Sequence, residues 1–140
     1  MTEPSNPGRA LFVTIPVADV ERSKAFYSEL GFSFDPAFSG EGAACMQIGE
    51  AASFMLGSRE TFAKYSHLPA GDPATHALAL YSFTVPSRDE VDSIGAAALA
   101  AGGTEADGAE DLGFMYTRSF FDPDGHGWQV MWMNLDDDAH

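Results

Sequence analysis

The chain has 140 residues, 45% of them hydrophobic and 12% aromatic, which suffices for one domain with a real core and argues against extended disorder. Seven basic residues against twenty-one acidic ones leave a formal charge of −14, a field that repels nucleic acid and anionic membranes and favours encounter with cationic small molecules. One cysteine, Cys45, excludes an internal disulfide, the start (MTEPSNPGR) lacks a basic region followed by an apolar one, and no apolar run reaches the roughly 18 residues of a membrane span, so a cytoplasmic protein is expected.

Residues 1–9 show no periodicity and read as a flexible arm. The β-branched and aromatic run from Ala10 to Val17 predicts a strand, with Pro16 arguing for a sheet edge or an interrupted ladder near its end. Asp19 can cap a helix whose apolar face is Val20, Ala25, Phe26, Tyr27 and Leu30, with Gly31 as its left-handed stop. Strands follow at Phe32–Asp35, Ala43–Ile48 and Ala52–Leu56, then a short helix from Arg59 to Tyr65. Cys45, inside the apolar stretch AACMQI, reads as a small buried hydrophobe.

Residues 66–75 concentrate turn formers and read as a linker. Beyond it a strand around residues 79–85 leads to Ser87 and Glu90, spaced as a capping box for a helix that buries Val91, Ile94, Ala98 and Ala101 and ends at Gly102 and Gly103. Gly113–Phe121 alternates as a long strand. Asp122-Pro123-Asp124-Gly125 makes a tight turn into a last strand, His126–Met133, and residues 135–140 form an acidic, flexible end.

The plan is stated twice. Aligning Val17 with Val85 sets Asp19 against Ser87 and Phe12 against Leu80, so one domain over residues 10–134 is expected to contain two equivalent modules, about 10–65 and 76–134, joined by the linker. The duplication, with V-A-D-V-E-R-S-x-x-F-Y-x-x-L-G-F at residues 17–32 and D-P-D-G-H at 122–126, resembles the vicinal-oxygen-chelate superfamily, which includes glyoxalase I, bleomycin-resistance proteins and extradiol dioxygenases.

The resemblance implies an α+β fold of two βαβββ modules that form an incomplete barrel around a cavity, commonly as a homodimer. In metal-dependent members, one side chain from the first and one from the last strand of each module hold a divalent cation. Carried over one at a time, those positions fall on Phe12, Met55, Leu80 and Gln129. Phe12 and Leu80 have no donor atom, Met55 offers a thioether suited to soft ions, and Gln129 alone can ligate a hard cation. The histidines, His67, His76, His126 and His140, form no ligand spacing; His76 would reach the second-module position only by a register slip of four residues that Val85 and the capping box oppose. Neither a metal site nor any other cofactor is expected.

Strand alternation then turns Phe12, Thr14, Met55, Leu80, Ser82, Gln129 and Met131 to the cavity as ligand-binding candidates. Tyr116 and Arg118 join them from the neighbouring strand, whose phase one sequence leaves open. Arg118 must pair with a carboxylate, reach solvent or bind an anionic ligand. Trp128 and Trp132, in the opposite phase to Gln129, are expected beneath a helix or at a subunit interface. The expected function is a homodimeric small-molecule-binding module. The alternative is an enzyme of the superfamily, a lactoylglutathione-lyase-like lyase or isomerase or a dioxygenase, whose catalytic residues the sequence does not assign.

Overall fold

The computed structural model describes residues 8–40 and 42–134; residues 1–7 and 135–140, which make up most of the two expected flexible ends, lie outside the described residues. Eight strands and three helices follow one another as β1 (Leu11–Val17), α1 (Val20–Glu29), β2 (Ser33–Gly40), β3 (Ala43–Gly49), β4 (Ala52–Ser58), α2 (Arg59–Ser66), β5 (Leu80–Thr84), α3 (Arg88–Ala100), β6 (Thr104–Asp111), β7 (Met115–Phe121) and β8 (Gly127–Met133). The strands form two four-stranded sheets of the same internal order, β1-β4-β3-β2 and β5-β8-β7-β6. In each, the first strand runs parallel to the last and the other pairs are antiparallel. The architecture is α+β, and the repeat seen in the sequence is a repeat of sheet topology.

The chain forms two compact units. The first comprises the residues up to Val20 with Phe32–Ala70, and the second comprises Glu21–Gly31 with the residues from Gly71 onward. Helix α1, all but its first residue, therefore belongs to the unit that holds the second sheet.

In the first unit, Ile15, Val17, Met46 and Leu56 are fully buried, the alternate residues of three adjacent strands. Pro16 is tolerated because β1 is an edge strand. Strand β2 runs further than its apolar residues suggest, through Pro36 to Gly40, with a register shift between Asp35 and Gly40. It too lies at an edge, where proline and irregular pairing are permitted. Helix α2 packs on β1 and β4; Ser58 caps its start by accepting from the Thr61 N–H at 3.1 Å.

The second unit centres on Trp128. Its indole meets Tyr27 of α1 (ring centroids 5.7 Å apart), Phe83 (5.9 Å) and Tyr81 (5.3 Å), while Phe26 meets Phe120 at 6.3 Å. Gly31, at φ +98°, is the left-handed stop expected for α1. Helix α3 begins as its capping box requires, with Ser87 Oγ accepting from the Glu90 N–H at 3.2 Å, and it packs on β7 and β8 through Val91 and Ala98. Strand β6 completes the second βαβββ module, but no residue pattern in the sequence marks where it lies. All eight of its residues (TEADGAED) are exposed, so hydrophobic alternation carries no trace of it. The expected strand Gly113–Phe121 starts only at Met115, because Gly113 takes φ +85° in the β6–β7 turn.

Candidate functional site

Partners across a sheet ladder point to the same face, so the register sorts the candidate residues. In the first sheet Phe12 lies opposite Ser53 and Thr14 opposite Met55, while Gln47 and Cys45 of β3 continue those two rows. Phe12, Thr14 and Met55 thus share a face, the reverse of the one that buries Ile15 and Leu56. Phe12 is half exposed and Met55 partly buried. Cys45 is buried in this row, and burial pushes its thiol above the usual range, against a smaller opposing contribution from its hydrogen bond with Ser53. It is a small apolar filler here, as its sequence context indicates.

In the second sheet Leu80 faces Gly127, Ser82 faces Gln129, and Thr84 faces Met131. Strand β7 adds Phe121 beside Gly127, Ser119 beside Gln129 and Thr117 beside Met131. Leu80, Ser82, Gln129 and Met131 therefore lie on one face, with a polar row across it: Ser82 Oγ donates to Gln129 Oε1 at 3.3 Å. Thr117, Ser119 and Phe121, which the sequence reading omitted, belong to the same face.

Tyr116 and Arg118 do not. Tyr116 pairs with Trp132 and Arg118 with Val130, which puts both on the opposite face, beneath α3. The correction is one residue of phase in β7, and that phase becomes readable only once its partner strand is known. There Arg118 Nη2 donates to Glu105 Oε1 at 3.1 Å and Nη1 to the Asp92 carbonyl at 3.3 Å. It lies against Gly95, where an added Cβ would meet Arg118 Nε at 2.7 Å. Of the three fates open to this arginine, pairing with a carboxylate is the one observed. The Tyr116 hydroxyl donates to Asp92 Oδ1 at 2.7 Å, and that bond raises its pKa. Trp128 and Trp132 share this face with them; Trp128 packs against Tyr27 of α1, and the Arg88 guanidinium stacks over Trp132 at 4.9 Å and Tyr116 at 5.2 Å.

Behind the face lies a buried polar chain. Trp128 Nε1 donates to the Tyr27 hydroxyl at 2.8 Å, which donates in turn to Asp122 Oδ2 at 2.5 Å. Asp122 Oδ1 accepts the backbone N–H groups of Asp124, Gly125 and His126, each at 2.9 Å. Burial raises the Asp122 carboxyl above the usual carboxylate range, opposed by its bond from Tyr27. Arg22 and Ser23 of α1 reach Asp124 at 3.1 and 3.2 Å, so the D-P-D-G-H turn is bolted to α1. This accounts for the two sequence phrases together: one supplies the tyrosine, the other the aspartate.

At the lower end of the Leu80 face the turn creates a recess. Asp72 organises the incoming chain, its carbonyl accepting from the Thr75 and His76 N–H groups at 3.2 and 3.0 Å and its Oδ1 from the Ala74 N–H at 3.0 Å. This loop lies on Gly125, where a Cβ would meet the Pro73 carbonyl at 2.8 Å. The recess, of about 450 Å³, is walled by His76, Leu78, Leu80, Phe121, His126 and Gly127. His76 and Phe121 reach it because of chain reversals that the sequence marks only by Gly125 and the D-P-D-G signature.

The four superfamily metal positions can be judged on donor chemistry. Phe12 and Leu80 are hydrocarbons, Met55 is a thioether, and Gln129 already accepts from Ser82. These residues do not fit a hard divalent cation. Among the described residues there is no cluster of three or more His, Cys, Asp or Glu side chains able to hold a metal. The two faces offer apolar contact, hydroxyls and the amides of Gln47 and Gln129, groups of the kind that line small-molecule sites.

Residues 9–49 match the family described as bleomycin resistance protein-like N-terminal. No curated protein matches the chain. Among solved structures, the chain is similar to a hypothetical protein, SA1046, of S. aureus, at 24% identity and a TM-score of 0.76, covering 88% of this chain and 92% of that one. A glyoxalase/bleomycin resistance protein/dioxygenase family enzyme from Burkholderia phytofirmans PsJN gives 19% identity and a TM-score of 0.75, covering 87% and 96%. A glyoxalase-related enzyme from Fulvimarina pelagi gives 20% and 0.75, covering 89% and 88%. At such identities the structural likeness establishes the fold.

Proposed function

We propose that this chain, which has the fold of the vicinal-oxygen-chelate superfamily and matches a bleomycin-resistance-protein-like family over its first module, is a small-molecule-binding module that lacks the superfamily's divalent metal centre. The observation that carries the reading is the donor set: of Phe12, Met55, Leu80 and Gln129, one residue has an oxygen donor, and Ser82 engages it. A lone neutral amide cannot hold a cation against water. The candidate ligand-facing residues are Phe12, Thr14 and Met55 on the face of the first sheet and Leu80, Ser82, Gln129 and Met131 on that of the second; each face by itself offers apolar surface with a few hydroxyl or amide groups, suited to a hydrophobic or planar ligand with one or two polar atoms. The protein acts in the cytoplasm as a homodimer, as many members of the superfamily do. A net charge of −14 supports small-molecule partners over nucleic acid or anionic membrane, and no described helix is long and apolar enough to cross a membrane.

Elemental analysis after dialysis against nickel, zinc, manganese and iron tests the reading. No stoichiometric metal is expected, in the native protein or in Gln129→Ala, while a screen of planar compounds is expected to raise the melting temperature with ligand concentration. One equivalent of retained metal that Gln129→Ala abolishes would overturn the proposal in favour of a metalloenzyme.

A further inference from the structure

We propose that Met115, Met131 and Met133, at one corner of the second sheet, form a binding site for a soft monovalent metal ion such as copper(I). The inference goes beyond the small-molecule reading and uses none of the four superfamily metal positions.

Register brings the three together. Met115 lies opposite Met133, and Met131, opposite Thr117, precedes Met133 by two residues, so all three side chains leave the face that carries Gln129. The Asn134 N–H donates to the Phe114 carbonyl at 2.7 Å, which makes Met115 and Met133 the adjoining non-hydrogen-bonded pair. In such a pair the Cα atoms stand about 4.5 Å apart and the side chains approach most closely. Met131 is about 7 Å further along the strand, a separation that the three rotatable bonds of each methionine can close.

Core filling does not account for the trio. Side chains that fill a core are covered, whereas all three are partly exposed, and half of the chain's six methionines stand at this one corner. Met133 also borders a recess of about 400 Å³ with Thr84, Val85, Pro86 and Trp132, which opens the corner to a solute.

Donor chemistry then sets the ion. Thioethers are neutral, soft donors that favour copper(I) over hard cations such as magnesium or manganese. Zinc is held instead by thiolate, imidazole or carboxylate. Charge admits a cation here. The bases of the second unit are Arg22 and Lys24 on α1, Arg88 on α3 and Arg118 on the reverse face of β7, so none shares the methionine face. The charged residues that the register places on it are Asp107 and Glu110 of β6, opposite Ser119 and Thr117.

The test is titration of the full chain, labelled with carbon-13 at its methionine methyl groups and followed by nuclear magnetic resonance. The probes are silver(I), a redox-inert stand-in, and copper(I) kept reduced by ascorbate without oxygen. Cys45→Ala serves as the parent protein, so that the thiol opposite Met55 cannot compete. One equivalent of either ion is expected to shift the signals of Met115, Met131 and Met133 and to leave those of Met46 and Met55 in place, while zinc(II) shifts none. Met115→Leu and Met133→Leu, which keep the volume and remove the sulfur, are each expected to abolish that shift with unchanged far-ultraviolet dichroism. The pattern in the parent decides the matter whether or not these variants fold. Absence of a shift, or shifts confined to one or two of the three, overturns the site, and an equal response to zinc(II) overturns the soft-ion class. Either failure leaves the small-molecule reading standing, because that reading rests on the donor set of Phe12, Met55, Leu80 and Gln129.

Discussion

Tyr27 is the residue on which two elements depend. Its hydroxyl is the acceptor for Trp128 Nε1 and the donor to Asp122 Oδ2, and all three side chains are buried. Tyr27→Phe removes one oxygen and leaves both a donor and an acceptor without their partner in a place that water reaches poorly. Each such loss costs about 1–3 kcal/mol, so a destabilisation of about 2–4 kcal/mol is expected in urea denaturation near neutral pH. Burial, then the negative charge of Asp122, raises the Tyr27 phenol well above its ordinary 10.0. A phenol held above its unfolded value contributes stability that is fully present below that value and is lost as pH rises through the folded one. The gap between wild type and Tyr27→Phe is therefore expected to hold constant at neutral pH and to narrow above pH 10.0. A gap that stays flat or widens there would mean that the phenol is not buried against Asp122.

At the scale of elements, the junction between α3 and β6 is a close backbone approach in the second unit. Gly102 leaves the helix at φ +109°, and the Gly103 N–H donates to the Ala98 carbonyl at 2.8 Å. A Cβ on Gly103 would stand 2.6 Å from the Phe121 carbonyl and 2.9 Å from that of Ala98. Both obstacles are main chain, so relief requires α3 or β7 to move. Gly103→Ala is expected to cost about 1–3 kcal/mol, whereas Gly108→Ala, in a strand residue with open space around it, should cost almost nothing. Equal stability of the two variants would show that the junction can open freely. These elements also mark the boundary of what one sequence tells. Apolar period, the capping box and Gly31 announce β1, α1, β3, β4 and α3 to within a few residues, because each buries a face against its own unit. Strand β6 buries none, and its eight exposed residues are held by ladder hydrogen bonds that any residue except proline can make. Tyr116 and Arg118 fail for a related reason: their strand alternates legibly, but which set of alternate residues faces the helix is decided by pairing with β8. The Leu80 face was legible because the first-module alignment fixed its phase; the recess was not, since residues 73–79 meet Gly125 only through two chain reversals.

Over the whole molecule the balance of charge outweighs any single pair. Twenty-one acids face seven bases, and the ion pairs among the described residues include those of Arg22, Arg88 and Arg118. Arg88 and Asp111, at 2.8 Å, hold Asp111 below the usual carboxylate range, but both are substantially exposed. Such exposed pairs contribute little to stability and weaken as salt is added. The unpaired carboxylates act in the opposite sense: they repel one another most in the compact state, and salt relieves that repulsion over a distance of roughly 10 Å at about 0.1 M. With three acids for every base, relief should exceed the loss of a few exposed pairs. The melting temperature is therefore expected to rise by several degrees as sodium chloride increases from about 0.01 to 0.2 M, while sucrose at matched osmolality separates screening from preferential exclusion. A fall with salt would assign more of the stability to Arg88, Arg118 and their partners than exposed pairs ordinarily supply.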